Sequence, residues 1–124
     1  MSVPKLTESG NLKEFLQHAS AEIDRATFEV LPTREPNRYL YSIQNDYPLR
    51  GGKRFRPALL LLFAEWFGVS YKDALPSAVA LELFHNFALI HDDIEDSSLF
   101  RRGKKTLHHL HGIPLAINAG DSLF

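Results

Sequence analysis

The sequence contains no cysteine, which excludes disulfides and thiolate metal sites. It also lacks a strong charge of either sign. The formal net charge is −1, whereas a general nucleic-acid binder would be strongly basic, so no nucleic-acid partner is expected. No apolar signal core stands at Met1–Gly10, and no run approaches the length of a membrane span. A cytoplasmic protein is therefore the expectation. Alternating strand patterns and internal repeats are missing as well. Its 124 residues allow one domain at most, and a hydrophobic content of 44% is enough for a core. A chain this short buries a smaller share of its surface than a full-sized enzyme does.

What is present is charge in segregated blocks: basic at Arg50–Arg56, acidic at Asp92–Asp96, basic again at Arg101–Lys105. Four of the five residues from Asp92 to Asp96 are acidic, directly after an apolar run. On a helix, Asp92 and Asp96 lie one turn apart on one face. Two such carboxylates suit Mg²⁺, which completes its shell with water and substrate phosphates. Arg101 and Arg102 follow within a few residues and supply planar forks that pair with phosphate oxygens. Acids at a helix C-terminus oppose the macrodipole and repel one another, and a divalent ion would offset both costs. Read from these residues alone, the cluster is either a metal-bridged diphosphate site or a solvated charged helix end.

In chain order, residues 1–10 read as a lead-in and 11–124 as helical. Asn11 is a plausible N-cap with Glu14 three residues on. Leu12, Phe15, Leu16, Ala19, Ile23, Ala26 and Val30 then recur at helical spacing until Pro32 and Pro36 end the run. Pro32–Tyr47 is turn-rich, with a short helix possible around Tyr39–Ile43. Gly51-Gly52-Lys53 can be an anion-approaching loop or simply a basic turn. An apolar helix is predicted over Arg54–Gly68, with Pro57 in its first turn and Gly68 as cap. Lys53 and Arg56, three apart, can both face an anion at its entrance.

A long helix is predicted over Tyr71–Asp96, with Pro76 in its first turn and most sides buried. At about 100° per residue, Leu81, His85, Ala88, Asp92 and Asp96 share one stripe. His91 lies off that stripe and reads as structural. A lone His85 would ordinarily be a core histidine, but its stripe leads to Asp92. His108, His109 and His111 have no carboxylate or cysteine at ligand spacing and are not read as a metal site. Gly112-Ile-Pro-Leu115 opens a last helix, which is read as still running at Phe124.

Taken together, Gly51-Gly-Lys-Arg-Phe-Arg-Pro57, His85 followed by Leu89-Ile-His-Asp-Asp-Ile-Glu-Asp96 as a DDxxD motif, Arg101-Arg-Gly103 and Ala116-Ile-Asn-Ala-Gly-Asp-Ser-Leu123 resemble the trans-isoprenyl diphosphate synthases, the polyprenyl synthetases. The four motifs stand in the family's order and at its spacing, and the resemblance covers about residues 12–124. The resemblance implies an all-α fold, the N-terminal part of the isoprenoid-synthase bundle, with antiparallel helices around a central cavity. It also implies a Mg²⁺-dependent condensation of isopentenyl diphosphate with an allylic diphosphate (dimethylallyl, geranyl or farnesyl). Asp92 and Asp96 would ligate Mg²⁺ and Arg101 would contact the allylic diphosphate. Lys53, Arg56, His85 and Arg102 would hold the isopentenyl diphosphate. Phe87 and Ala88 would form the floor of the chain-length pocket, geranylgeranyl type more than farnesyl type. A homodimer is implied for the full-length form. No second aspartate-rich motif follows Gly120, so the 124 residues alone are expected to be catalytically incomplete. The alternative is a non-catalytic helical partner that binds Mg²⁺–diphosphate or another synthase subunit. Lys105 departs from the family, which usually has proline there.

Overall fold

The computed structural model describes Glu8 and residues 10–124, so most of the expected lead-in lies outside the described residues. The elements run α1 (Leu12–Val30), a π-helical turn (Asn37–Tyr41), α2 (Ser42–Gln44), α3 (Asp46–Leu49), α4 (Phe55–Trp66) and α5 (Tyr71–Glu95). They continue with β1 (Phe100–Arg101), β2 (Lys104–Lys105), α6 (Leu107–His111) and α7 (Ile113–Asp121). The all-α expectation holds apart from one hairpin, in which Phe100 pairs with Lys105 and Arg101 with Lys104. Strands of two residues are too short to leave an alternating pattern in the sequence. The chain divides into two compact units. One comprises the described residues up to Glu29 with Lys53–Glu82, the other Val30–Gly52 with Leu83–Phe124.

In the first unit α1 starts where its cap was expected. Asn11 Oδ1 accepts from the Glu14 N–H at 3.0 Å, and Glu14 Oε2 accepts from the Gly10 N–H at 3.0 Å. Each side chain satisfies a backbone donor that the first helical turn cannot. Phe15, Ala19 and Ile23 recur every four residues and pack against Ala58 and Leu61 of α4 and Ala74, Leu75 and Ala78 of α5. Burying a Phe, Ile or Leu in this way contributes about 1.5–3 kcal/mol each. α4 is shorter than predicted because its end winds into a Schellman cap. Gly68, at φ 83°, donates to the Glu65 carbonyl at 3.0 Å and Val69 donates to that of Ala64 at 2.8 Å.

α5 departs from expectation in two ways. Pro76 is its sixth residue, beyond the first turn, so it removes the bond to the carbonyl of exposed Lys72. The helix is also not buried on most sides. Its buried face is Leu75, Ala78, Val79, Glu82, Asn86, Ile90 and Asp93, while Phe84 is exposed. An apolar run is buried only where a neighbouring element covers it. The buried face therefore carries polar residues that composition assigns to solvent.

The second unit is built on Leu31, Ile43, Tyr47, Ile90, Leu107, Ala116, Ala119 and Leu123. α7 begins as predicted but ends at Asp121, with Ser122 as cap. Gly120 packs closely against the His91 ring, so that a Cβ there would stand 2.8 Å from His91 Nε2 and the ring would have to shift. His91 is structural, its ring 4.7 Å from that of Phe87 and its Nε2 3.1 Å from Asp121 Oδ1. That ion-pair distance lacks hydrogen-bond alignment. α5 closes with a second Schellman pattern, with Ser97 rather than glycine in the left-handed conformation (φ 52°). Ser97 donates to the Ile94 carbonyl at 3.2 Å and Ser98 to that of Asp93 at 2.9 Å. β1 and β2 are joined by Arg102 (φ 53°) and Gly103 (φ 77°), the two positive-φ residues of a type I′ turn.

Candidate diphosphate-binding site

Lys53 and Arg56 belong to the first unit; His85, Asp92, Asp96, Arg101 and Arg102 belong to the second. Lys53 and Arg56 are both exposed at the entrance of α4. Lys53 lines an open groove of about 810 Å³ with Leu12, Leu16, Gln17, Asp24 and Phe55. That groove is mostly apolar and contains none of the acidic motif. Between Lys53 and Phe55 stands a residue sequence reasoning passed over. Arg54 adopts a left-handed conformation (φ 48°) and is buried. Its Nε donates to Asp24 Oδ1 at 2.7 Å and its Nη1 to Glu82 Oε1 at 2.5 Å. Both flanking cations are exposed while this one is fixed between carboxylates of α1 and α5.

In the second unit Asp92 and Asp96 lie one turn apart as expected, the Asp96 N–H donating to the Asp92 carbonyl at 2.8 Å. Both are exposed. Among the described residues neither carboxylate enters an ion pair or hydrogen bond, and no three His, Asp or Glu side chains converge on a metal position. Two unpaired carboxylates on one helix face are what Mg²⁺ uses when water and phosphate fill its other positions. The residues therefore fit the ion the resemblance implies. His85 is half-buried on the adjoining stripe, as is Ala88. Phe87 is half-buried in an aromatic cluster, its ring 5.6 Å from that of Phe84 and 5.3 Å from that of Phe124.

Asp93, between the two exposed acids, behaves differently. It is buried, and its Oδ1 accepts from Arg101 Nη2 at 2.5 Å while its Oδ2 accepts from Arg101 Nε at 3.1 Å. The Tyr47 hydroxyl donates to Oδ2 at 2.5 Å and accepts from the Leu107 N–H at 3.3 Å. The hydrogen bond to Asp93 raises Arg101 above the usual guanidinium range, with smaller contributions from the charges of Asp93, Tyr47 and Asp92. Burial, and then the bond to Asp93, push the Tyr47 phenol well above its ordinary range. Arg101 thus stays fully charged, held side-on by two of its five donors. The remaining three are not taken by Asp93.

Arg102 Nη1 donates to the Tyr47 carbonyl at 2.8 Å. Arg50, also missed, ion-pairs with Asp46 and lies 4.7 Å over the Tyr47 ring. It donates to the carbonyls of Arg101 at 3.0 Å and Lys105 at 2.9 Å. Glu82, Asn86 and Asp93 at helical spacing were the available signal for a buried polar face on α5, of which only Asp93 belongs to this network. The stripe chosen in the sequence was its neighbour, half-buried at Leu81, His85 and Ala88 and exposed at Asp92 and Asp96.

The chain is helical apart from the arginine hairpin, which follows the acidic turn of α5. The chain belongs to the polyprenyl synthetase family, whose model matches residues 37–124. It is 43% identical over 113 residues to the geranylgeranyl pyrophosphate synthase of Geoglobus acetivorans, covering 91% of this chain and 35% of that protein. It is 45% identical over 120 residues to a short chain isoprenyl diphosphate synthase of Methanocaldococcus jannaschii, covering 97% and 36%. The crystal structure of geranylgeranyl pyrophosphate synthetase from Pyrococcus horikoshii superposes with a TM-score of 0.83 at 45% identity, covering 88% of this chain and 33% of that one. The chain thus spans about a third of the length of the relatives it matches. Among the described residues no helix is long and apolar enough to cross a membrane.

Proposed function

We propose that this chain carries the first aspartate-rich half of a trans-prenyltransferase site, within one polyprenyl synthetase domain. That site would condense isopentenyl diphosphate with an allylic diphosphate to a short-chain, geranylgeranyl-type product. The supporting observation is the contrast within one helical turn: Asp93 is buried and spent on Arg101, while Asp92 and Asp96 stand exposed and unpaired. In this reading Asp92 and Asp96 hold Mg²⁺, which when bound neutralises the charge of the leaving diphosphate. Arg101 presents its remaining N–H donors to that diphosphate. Lys53, Arg56, His85 and Arg102 hold the diphosphate of the isopentenyl substrate. Phe87 and Ala88 limit the length of the growing chain. The residues' work is fixed charge and orientation, already in place before substrate arrives. Cytoplasmic location and a homodimer in the full-length form belong to the same reading.

The test is a chimera in which these 124 residues replace the matching third of the Geoglobus acetivorans relative. The chimera should make a prenyl diphosphate when Mg²⁺ is present, and Asp92→Ala should lower turnover by about a hundredfold or more. Turnover unchanged by Asp92→Ala would remove the acidic turn from the site.

A further inference from the structure

We propose that Tyr47 is a positioning residue for both members of the arginine pair, acting on Arg101 through Asp93 and on Arg102 through its own carbonyl. The inference rests on the reading above, in which the two arginines meet diphosphate. Every link lies in the second unit. The Tyr47 hydroxyl reaches Asp93 Oδ2 at 2.5 Å, Asp93 grips Arg101 side-on at 2.5 and 3.1 Å, and the Tyr47 carbonyl takes Arg102 Nη1 at 2.8 Å. Tyr47 is fully buried, with Arg50 stacked on its ring and bonded to both strands of the arginine hairpin.

The chemistry explains why a phenol suits this place. A carboxylate shared between a phenol and a guanidinium has both oxygens occupied, so it cannot swing away to compete for a metal beside Asp92. The side-on grip uses the Nε and Nη2 edge of Arg101 and leaves the end-on fork, the geometry that pairs with phosphate in two-point fashion. Arg101 is then oriented before ligand binds, and the entropy of ordering a long side chain is not charged against affinity.

The experiment uses the 124-residue chain and Mg²⁺ with inorganic pyrophosphate, followed by calorimetry. Tyr47→Phe keeps the ring and the carbonyl and removes only the hydroxyl. It should weaken pyrophosphate binding by about tenfold, the scale of one hydrogen bond to a charged group. In an Arg101→Ala background the same change should have little further effect, while in an Arg102→Ala background it should keep its full effect. A merely structural tyrosine would show equal losses in all three backgrounds, and that result overturns the proposal. So does a Tyr47→Phe chain that binds as the wild type does. A wild-type chain that binds no Mg²⁺–pyrophosphate overturns the functional reading and this inference with it. Should Tyr47→Phe fail to fold, the unliganded wild type still decides. The Arg101 Nε–H should exchange with solvent at least about tenfold more slowly than that of exposed Arg25, and equal rates would show that Arg101 is not held.

Discussion

Two arginines, one in each unit, pair with carboxylates on the same buried face of α5, yet they are placed for different work. Arg54 has a side chain with no exposure and is closed between Asp24 and Glu82. Arg101 keeps 30% of its side chain exposed and is held along one edge by Asp93. A guanidinium enclosed by acids on both sides can only be architecture. One anchored along a single edge still has donors to offer. The difference teaches that an ion pair at this face is not itself a functional signal; what matters is which donors the pair leaves over.

The sharpest way to break the comparison is Arg54→Ala. It would leave Glu82 buried without its cation, so unfolding in urea should show a loss of about 3–5 kcal/mol. A loss below about 1 kcal/mol would mean the closed pair is not structural. Arg101→Ala should cost less stability, about 1.5–3 kcal/mol, but should weaken Mg²⁺–pyrophosphate binding by more than tenfold, which calorimetry would read. Equal stability losses with affinity untouched would erase the distinction between the two. A third effect is read in alkali. The folded Tyr47 phenol is raised above its unfolded value, so its contribution is fully present below about pH 10 and is lost as pH rises beyond it. The stability of Tyr47→Phe should therefore fall less steeply in alkali than that of the wild type, and parallel curves would contradict the Asp93 bond. The smallest effect is expected at Arg25, whose partners Glu22 and Glu29 are on the open surface of α1. Arg25→Ala should leave the urea midpoint where it was.

Much of this was legible from residue order. The Asn11–Glu14 cap, the Phe15–Ala19–Ile23 stripe and the acidic turn on one helix face all follow from local chemistry, and local chemistry is what a sequence states most clearly. The four motifs together also pointed to the family. What stayed hidden depends on residues far apart in the chain. Tyr47 and Asp93 are separated by 46 positions, and nothing in the acidic run distinguishes the buried member from its exposed neighbours. Arg54 sits among cations of the same type, and only its backbone turn directs it inward while Lys53 and Arg56 remain outside. The hairpin was missed because its strands are two residues long, and the burial of α5 was overstated because apolar composition was read as coverage.

The most direct measurement of the central claim is calorimetric titration of the chain with pyrophosphate, with and without Mg²⁺, repeated on Asp92→Ala and Asp96→Ala. The account predicts saturable binding that needs Mg²⁺ and is lost in both variants, while their urea midpoints stay at the wild-type value. Binding that persists without Mg²⁺, or survives both substitutions, would contradict it.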